Sequence, residues 1–485
     1  MIRTRKNYLA SLKKMRANIH KNGELIADVT THPATKRAVE SHAGCLELAR
    51  DPGCKDLLVT RSNLTGEEIL RFNGLMYSPE DLLANMRLKR LNYHTTGSCV
   101  GGMCVGWNAS NAMWAVTRDI DEETGSRYQE RLKKWLLFAE KHGLMVAGAL
   151  TDAKGNRSLK ASQQTDPDVH VRLVEKRTDG IVVRGAKLMI CSVAASDEIF
   201  ILPGNAYREE DGDFALSFVV PRGIGGLTIV ETRRPSDDRD YQEGFDVPET
   251  GPAQSWLFFE DVFVPNDRVF MCGEFKHSGK AIRCFTANYR ACIGACVAGQ
   301  GDVMAGAAVN MARANGLPWK TFTDKLVQMA INNETTWGVG AGAIALGERD
   351  PSGVWIADSL LAHTNKVHVA TLPYETKRLC QEIGGGIVET GCMPSYRDFS
   401  DEKYGALVQK YLKAGDCSAE TRARSARLSE WLTIGSGVPG CMHGGGSPDG
   451  ARLVVRASTP FEKYAEYAKK IAGIEEELKD PVKKP

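Results

Sequence analysis

The chain has 485 residues, 42% of them hydrophobic and 25% charged, with 62 Lys and Arg set against 60 Asp and Glu. That length exceeds one small core and calls for two or three packed units. The balanced charge gives no electrostatic case for a nucleic-acid partner or a membrane surface.

No uninterrupted apolar run approaches the ~18 residues of a membrane span. The opening residues Met1-Ile2-Arg3-Thr4-Arg5-Lys6-Asn7 lack the apolar stretch of a secretory signal. Thirteen cysteines, an odd number, in such a chain read as reduced thiols, buried thiols or metal ligands rather than a disulfide framework. The expectation is a cytoplasmic protein.

Residues 1–143 are predicted mostly helical. Ser78-Pro79-Glu80-Asp81 starts a helix: Ser caps, Pro takes the first turn, and the acids face the dipole. From Ser126 to His142, Tyr128, Leu132, Trp135, Leu136 and Ala139 recur at helical spacing, and Gly143 stops the helix. Residues 144–275 change to short β-type runs: Leu144 to Leu150, Val169 to Glu175, Ile181 to Val183, Ile199 to Leu202, Phe214 to Val220, Leu227 to Val230 and Trp256 to Phe259. Turns such as Thr178-Asp179-Gly180 and Pro221-Arg222-Gly223 separate them. The expectation there is an antiparallel barrel or sandwich. Residues 276–485 return to the helical period, with helices expected near 282–314, 318–346, 353–383, 400–414, 418–437 and 449–473, a long-helix bundle. The whole is an α+β chain with a helical front, a β middle and a helical back.

Three groups of residues invite chemistry. Thr151 and Asp152 end a strand, and Lys154-Gly155-Asn156-Arg157 forms a polar loop able to offer backbone N–H groups and a cation to a phosphate, or to serve only as a surface turn. Gly384-Gly385-Gly386 follows a helix and reads as a glycine turn near a ligand or as a helix C-cap; no strand precedes it, so it is no Rossmann fingerprint. Cys99 and Cys104 flank Val100-Gly101-Gly102-Met103, and Cys292 and Cys296 stand four apart on one helix face. Four thiolates suit a [4Fe–4S] cluster. Four small buried residues amid Ala291, Gly294, Ala295, Ala298 and Gly299 are the alternative. The remaining cysteines read as buried thiols.

Five segments, in order along nearly the whole chain, carry a resemblance: Leu150 to Arg157, Asp166-Pro167-Asp168, Val174 to Lys187, Asp261 to Phe270, and Met442-His443-Gly444-Gly445-Gly446-Ser447-Pro448. In these the chain resembles the 4-hydroxybutyryl-CoA dehydratase family and, more distantly, the flavin-dependent 4-hydroxyphenylacetate 3-monooxygenase family. The resemblance implies an acyl-CoA dehydrogenase-like fold, FAD, a homotetramer and a small-molecule substrate such as an acyl-CoA. It places the flavin against Thr151, Asp152, Lys154, Gly155 and Arg157, against the strand end at Met189, Ile190, Cys191 and Ser192, and near Gly384 and Gly385. The family holds its cluster by two cysteines of the first segment and by a histidine and a cysteine of the second; Cys99, Cys104 and Cys296 match three of these. Tyr289 stands at the histidine position, and Cys292, one helical turn away, is the proposed replacement.

Other departures matter for chemistry. Ile293 and Val297 stand where the family carries a tyrosine and a lysine, Cys191 at a threonine, Gln254 at a glutamate, and Gly440 at another acid. A neutral amide cannot act as a base. The expectation is therefore a flavin and iron–sulfur dehydratase or isomerase-type lyase with an altered substrate, with Tyr289, Cys191 and Gln254 as catalytic candidates. A cluster-free flavin oxidoreductase or monooxygenase, and an idle paralogue acting as a subunit partner, are the alternatives. Arg290, His443, His94 as a substitute ligand and Trp107 as a substrate cover complete the polar and aromatic candidates.

Overall fold

The structure is a computed structural model and describes residues 2–97, 103–232, 253–434 and 444–478. Cys99, Gly440 and His443 lie outside the described residues. The front of the chain carries the expected helices. Pro79–Thr96 opens with a capping box in which Ser78 Oγ accepts from the Asp81 N–H and the Asp81 carboxylate accepts from the Ser78 N–H. Tyr128–His142 ends where Gly143 takes a left-handed φ of 57°. Between them runs Met103–Thr124.

The front is not purely helical. Ile19–Lys21 and Glu24–Ile26 form a hairpin turned by Asn22 and Gly23, both at positive φ, and Ile19 pairs in parallel with Ile229 in the largest sheet. A three-residue strand is too short to show its alternation in sequence, so only the tertiary partner makes it legible.

The β middle is two open sheets; among the described residues no barrel closes. The six-stranded sheet runs in the order Glu24–Ile26, Ile19–Lys21, Leu227–Glu231, Gln254–Pro265, Gly180–Cys191, Arg172–Lys176. The four-stranded sheet runs Val269–Cys272, Leu216–Pro221, Glu198–Ile201, Val146–Ala149, and its last pair is parallel. Just past Val146–Ala149, Asp152 bridges to Lys187 of the larger sheet, and a helix packs on the strand. Met103–Thr124 lies directly on Val146–Ala149, and the contact exists because both surfaces are glycine there. A Cβ on Gly106 would enter the Val146 carbonyl, and one on Gly148 would come within 2.6 Å of the Val105 backbone.

The back half is built around Phe275–Ala314, a 40-residue helix in contact with Pro79–Thr96, Met103–Thr124, Thr323–Ala345, Ser359–Val369, Leu372–Gly384 and Ala419–Thr433. It is long and apolar enough by length and composition to cross a membrane, which the count of uninterrupted apolar residues did not reveal, and it is mostly buried in the protein's own core. Two expected helices are broken. The 353–383 stretch divides into Ser359–Val369 and Leu372–Gly384, because Pro373 lacks the N–H and clashes with the carbonyl four residues back. The 449–473 stretch divides at Pro460 into Pro448–Ser458 and Phe461–Ala472 for the same reason.

Candidate functional site

Tyr289 sits midway along Phe275–Ala314. Phe285, one turn earlier, stacks on it with ring centroids 5.4 Å apart and planes 11° from parallel. From Pro79–Thr96, Lys89 places its Nζ 5.3 Å from the Tyr289 ring centroid. Lys89 is 1% exposed. Its charge also reaches the neighbouring thiols. Burial pushes Cys292 up to about 11, Lys89 works against that shift, and Cys104 adds to it. Cys104, Cys292 and Lys89 are all buried and close enough to feel one another's charge, with Asn85 a helical turn from Lys89, its amide buried and, among the described residues, without a hydrogen-bond partner.

Cys104, Cys292 and Cys296 are all buried. Among the described residues, no three His, Cys, Asp or Glu side chains form a group fit to hold a metal ion. Of the remaining thiols, Cys45, Cys272, Cys284 and Cys380 are buried as expected, whereas Cys54 and Cys417 are half-buried and Cys392 is exposed. Trp107 is a core residue, donating to the Gly74 carbonyl at 2.7 Å and meeting Phe72 edge-on. His94 pairs with Asp302 at 2.8 Å on the surface, so its ring is occupied by a carboxylate.

The glycine turn after the predicted Met442-His443 pair reaches the same place. A Cβ on Gly445 would lie 2.6 Å from the Tyr289 ring, and one on Gly446 2.7 Å from Arg290 Nη2; both glycines have positive φ. Arg290 Nε donates to the Gly445 carbonyl at 2.9 Å. Burial pulls Arg290 down to about 10. Asn365, from Ser359–Val369, donates its amide to the Arg290 and Ala291 carbonyls, each at 3.2 Å. On that same helix His363 is buried and donates Nδ1–H to the Ser359 carbonyl at 2.6 Å, which leaves Nε2 with the lone pair. Burial, and secondly the Arg290 charge, draw its pKa down to about 4.

A second constellation lies at the sheet. The pairing of Gly180–Cys191 with Gln254–Pro265 sets Gln254 opposite Cys191, and Gln254 Nε2 donates to Cys191 Sγ at 3.9 Å. Both are half-buried, and Ser192 beside them is buried in a left-handed conformation with φ 50°. The loop at Thr151 is pinned from below. Asp152 pairs with Lys187 at 2.6 Å, both buried, and Lys187 also donates to the Leu150 and Leu202 carbonyls. Tyr207 donates to Asp152 at 3.3 Å. Lys154, Gly155 and Arg157 are exposed above this pin, and among the described residues neither cation forms an ion pair. Gly384 and Gly385 close Leu372–Gly384 beside Val388, next to the separate core cluster that contains Met304, Leu379 and Ile383.

Sequence reading set Tyr289, Cys191 and Gln254 together as one catalytic group; the structure pairs Cys191 with Gln254 across the sheet and carries Tyr289 on the long helix with Cys292. Sequence reading missed Lys89, His363 and Asn365. A signal existed for Lys89: Leu82, Met86, Lys89 and Tyr93 share one helical face, so the lysine interrupts an apolar stripe. His363 and Asn365 lie in a stretch read only as helix, and nothing local distinguishes them.

The chain matches the family models for 4-hydroxyphenylacetate 3-hydroxylase, N terminal over residues 4–271 and C terminal over residues 278–473. It is 36% identical to the 4-hydroxybutyryl-CoA dehydratase/vinylacetyl-CoA-Δ-isomerase of Clostridium aminobutyricum, across 98% of this chain and 100% of that protein. It is 25% identical to the 4-hydroxyphenylacetate 3-monooxygenase oxygenase component of Thermus thermophilus, across 90% and 89%. The solved 4-hydroxybutyryl-CoA dehydratase from N. maritimus superposes with a TM-score of 0.95 at 32% identity, covering 100% of this chain and 98% of that one. The oxygenase component of a 4-hydroxyphenylacetate 3-monooxygenase shares the fold, with a TM-score of 0.80 at 22% identity over 97% and 98%. Two family models in register over nearly the whole length and a full-length relative above 30% identity lead to one conclusion: the chain belongs to the 4-hydroxyphenylacetate 3-hydroxylase family of enzymes.

Proposed function

We propose that the chain is an FAD-dependent lyase of dehydratase or isomerase type, acting on an acyl-CoA or a similarly activated acid that differs from 4-hydroxybutyryl-CoA. The observation that carries this reading is the setting of Tyr289, a half-buried phenol between Lys89 and the Gly445-Gly446 turn. The phenol can give or take a proton at Oη, and the nearby ammonium favours its anionic form while the proton is away. Gln254 orients by hydrogen bonding and does not accept a proton; Cys191 beside it is the second candidate.

The residues fit a flavin. Lys154 and Arg157 are exposed cations without ion-pair partners among the described residues, suited to a pyrophosphate, and Thr151, Gly155, Cys191, Ser192 and the pinned Asp152 surround the strand ends beside them. Gly384 and Gly385 belong to the same proposal. FAD, when bound, supplies the electron relay. Lys187 holds the loop in place through Asp152 and two backbone carbonyls.

Purification without oxygen, with flavin and iron assays, tests the reading. FAD near one per chain is expected. Tyr289→Phe is expected to lower turnover of responsive acyl-CoA thioesters by about 10²-fold or more with flavin content unchanged; unchanged turnover removes Tyr289 from the chemistry. The cluster on Cys99, Cys104, Cys292 and Cys296 predicts roughly four irons per chain, falling in Cys292→Ser. A flavin oxidoreductase or monooxygenase without a cluster is the second reading, supported by the likeness to the 4-hydroxyphenylacetate 3-monooxygenase oxygenase component; a yellow, iron-free protein would establish it. The homotetramer implied by the resemblance is part of the proposal, and light scattering measures it.

A further inference from the structure

Among the described residues, Arg290 is a buried cation with no counter-charge. It is 6% exposed. Its one side-chain hydrogen bond is from Nε to the Gly445 carbonyl, and no carboxylate among the described residues pairs with it. Residues 435–443, Gly-Ser-Gly-Val-Pro-Gly-Cys-Met-His, which lead into the glycine turn, contain no acid. His363, the titratable neighbour that feels its charge, is kept neutral by burial and by Arg290 itself, and brings no negative charge. Removing a guanidinium from water without a partner is costly, and proteins retain such a group where a ligand completes it.

The side chain is also held in place. Asn365 fixes the backbone carbonyls of Arg290 and Ala291, and Gly445 fixes Nε. The Nη groups are then left for something else. Nη2 approaches the turn so closely that Gly446 must lack a Cβ. A guanidinium with one donor satisfied and its remaining N–H groups aimed past a glycine matches a planar group presenting two oxygen or nitrogen acceptors.

We infer that Arg290 is an anion-binding residue of this site and holds a carboxylate-like, two-acceptor edge immediately beside Tyr289. This deepens the proposed function, on which it rests for the identity of the pocket: the substrate class becomes one that carries a carboxylate or carboxylate-like oxyanion at the end placed next to the phenol. The pyrimidine edge of a flavin presents the same two-acceptor chemistry, and the two sources separate by experiment.

The test titrates butyrate, and butyramide as its neutral counterpart, into the full chain by calorimetry, before and after FAD is added. Arg290→Gln, Arg290→Lys and Gly446→Ala are measured alongside, with FAD affinity read separately by flavin fluorescence. The expected result is binding of butyrate in preference to butyramide, weakened about tenfold or more in Arg290→Gln and less in Arg290→Lys, with FAD affinity unchanged. Gly446→Ala keeps the charge but displaces Nη2, and is expected to weaken butyrate as well; it stands in where Arg290→Gln does not fold. A tenfold loss of FAD affinity with butyrate unaffected assigns the edge to the flavin and still supports the role of Arg290. Unchanged butyrate and FAD binding in all three variants overturns the inference. A chain that takes butyrate through Arg290 but takes no FAD sinks the flavin reading alone.

Discussion

Lys187 is a charge taken fully out of water, and its neighbourhood explains why it stays there. Burial pulls its pKa down, and Asp152 pulls it back up. Two backbone carbonyls take its other protons. Replacing it with Met leaves Asp152 buried without its ammonium partner, with only the Tyr207 hydroxyl and the neighbouring His170 ring beside it. Lys187→Met is expected to destabilise the fold by about 3–5 kcal/mol, and the double change Asp152→Asn with Lys187→Met to recover part of that loss; urea unfolding of the three variants measures it.

His363 makes a second prediction at this scale. Its folded pKa of about 4 lies below its ordinary 6.5, because burial and then Arg290 disfavour the charged ring, against weaker opposing pulls from Ser359 and Asp358. Above pH 6.5 the ring is neutral in both folded and unfolded chains and contributes no slope. Between pH 6.5 and about 4 the unfolded chain binds a proton that the folded one rejects, so stability falls as pH falls. Buried His170, also depressed chiefly by burial, acts with the same sign. Unfolding midpoints across that window are expected to drop more steeply for the parent chain than for His363→Gln; parallel slopes would refute the assignment.

The elements owe their positions to small residues where two surfaces meet. Gly106 and Gly148 let a helix rest directly on a strand, where any side chain would strike backbone atoms that cannot move aside. Gly106→Ala is expected to cost more than the ~1–3 kcal/mol typical of overpacking, since its Cβ meets a carbonyl rather than a flexible chain tip. Thermal melting of Gly106→Ala against Gly125→Ala reads this, because Gly125 has open space around it but a positive φ that supplies the backbone penalty alone. Comparable losses would show that the helix–strand approach is not the cause. The same contact carries Cys104, two residues before Gly106, down toward Cys292 on the long helix, so the packing of the sheet and the placement of the candidate thiols share one origin.

For the molecule as a whole, the division of labour between chain and fold can be followed residue by residue. Periodicity, caps and breakers are local, so the sequence alone determined the helical front, the β middle and the helical back, the capping box at Ser78 and the stop at Gly143. Ordered motifs along the whole length determined the family. Local signals could not determine what depends on partners far away in the chain. The hairpin at Ile19 needs Ile229, some 200 residues on, to become a strand. The burial of Lys89, the neutrality of His363 and the isolation of Arg290 follow from what surrounds them, and no window of sequence contains those surroundings. A side chain's charge is written in the chain, but its dielectric and its counter-ions exist only after the helices and sheets have packed, and those decide which charges are left seeking a ligand.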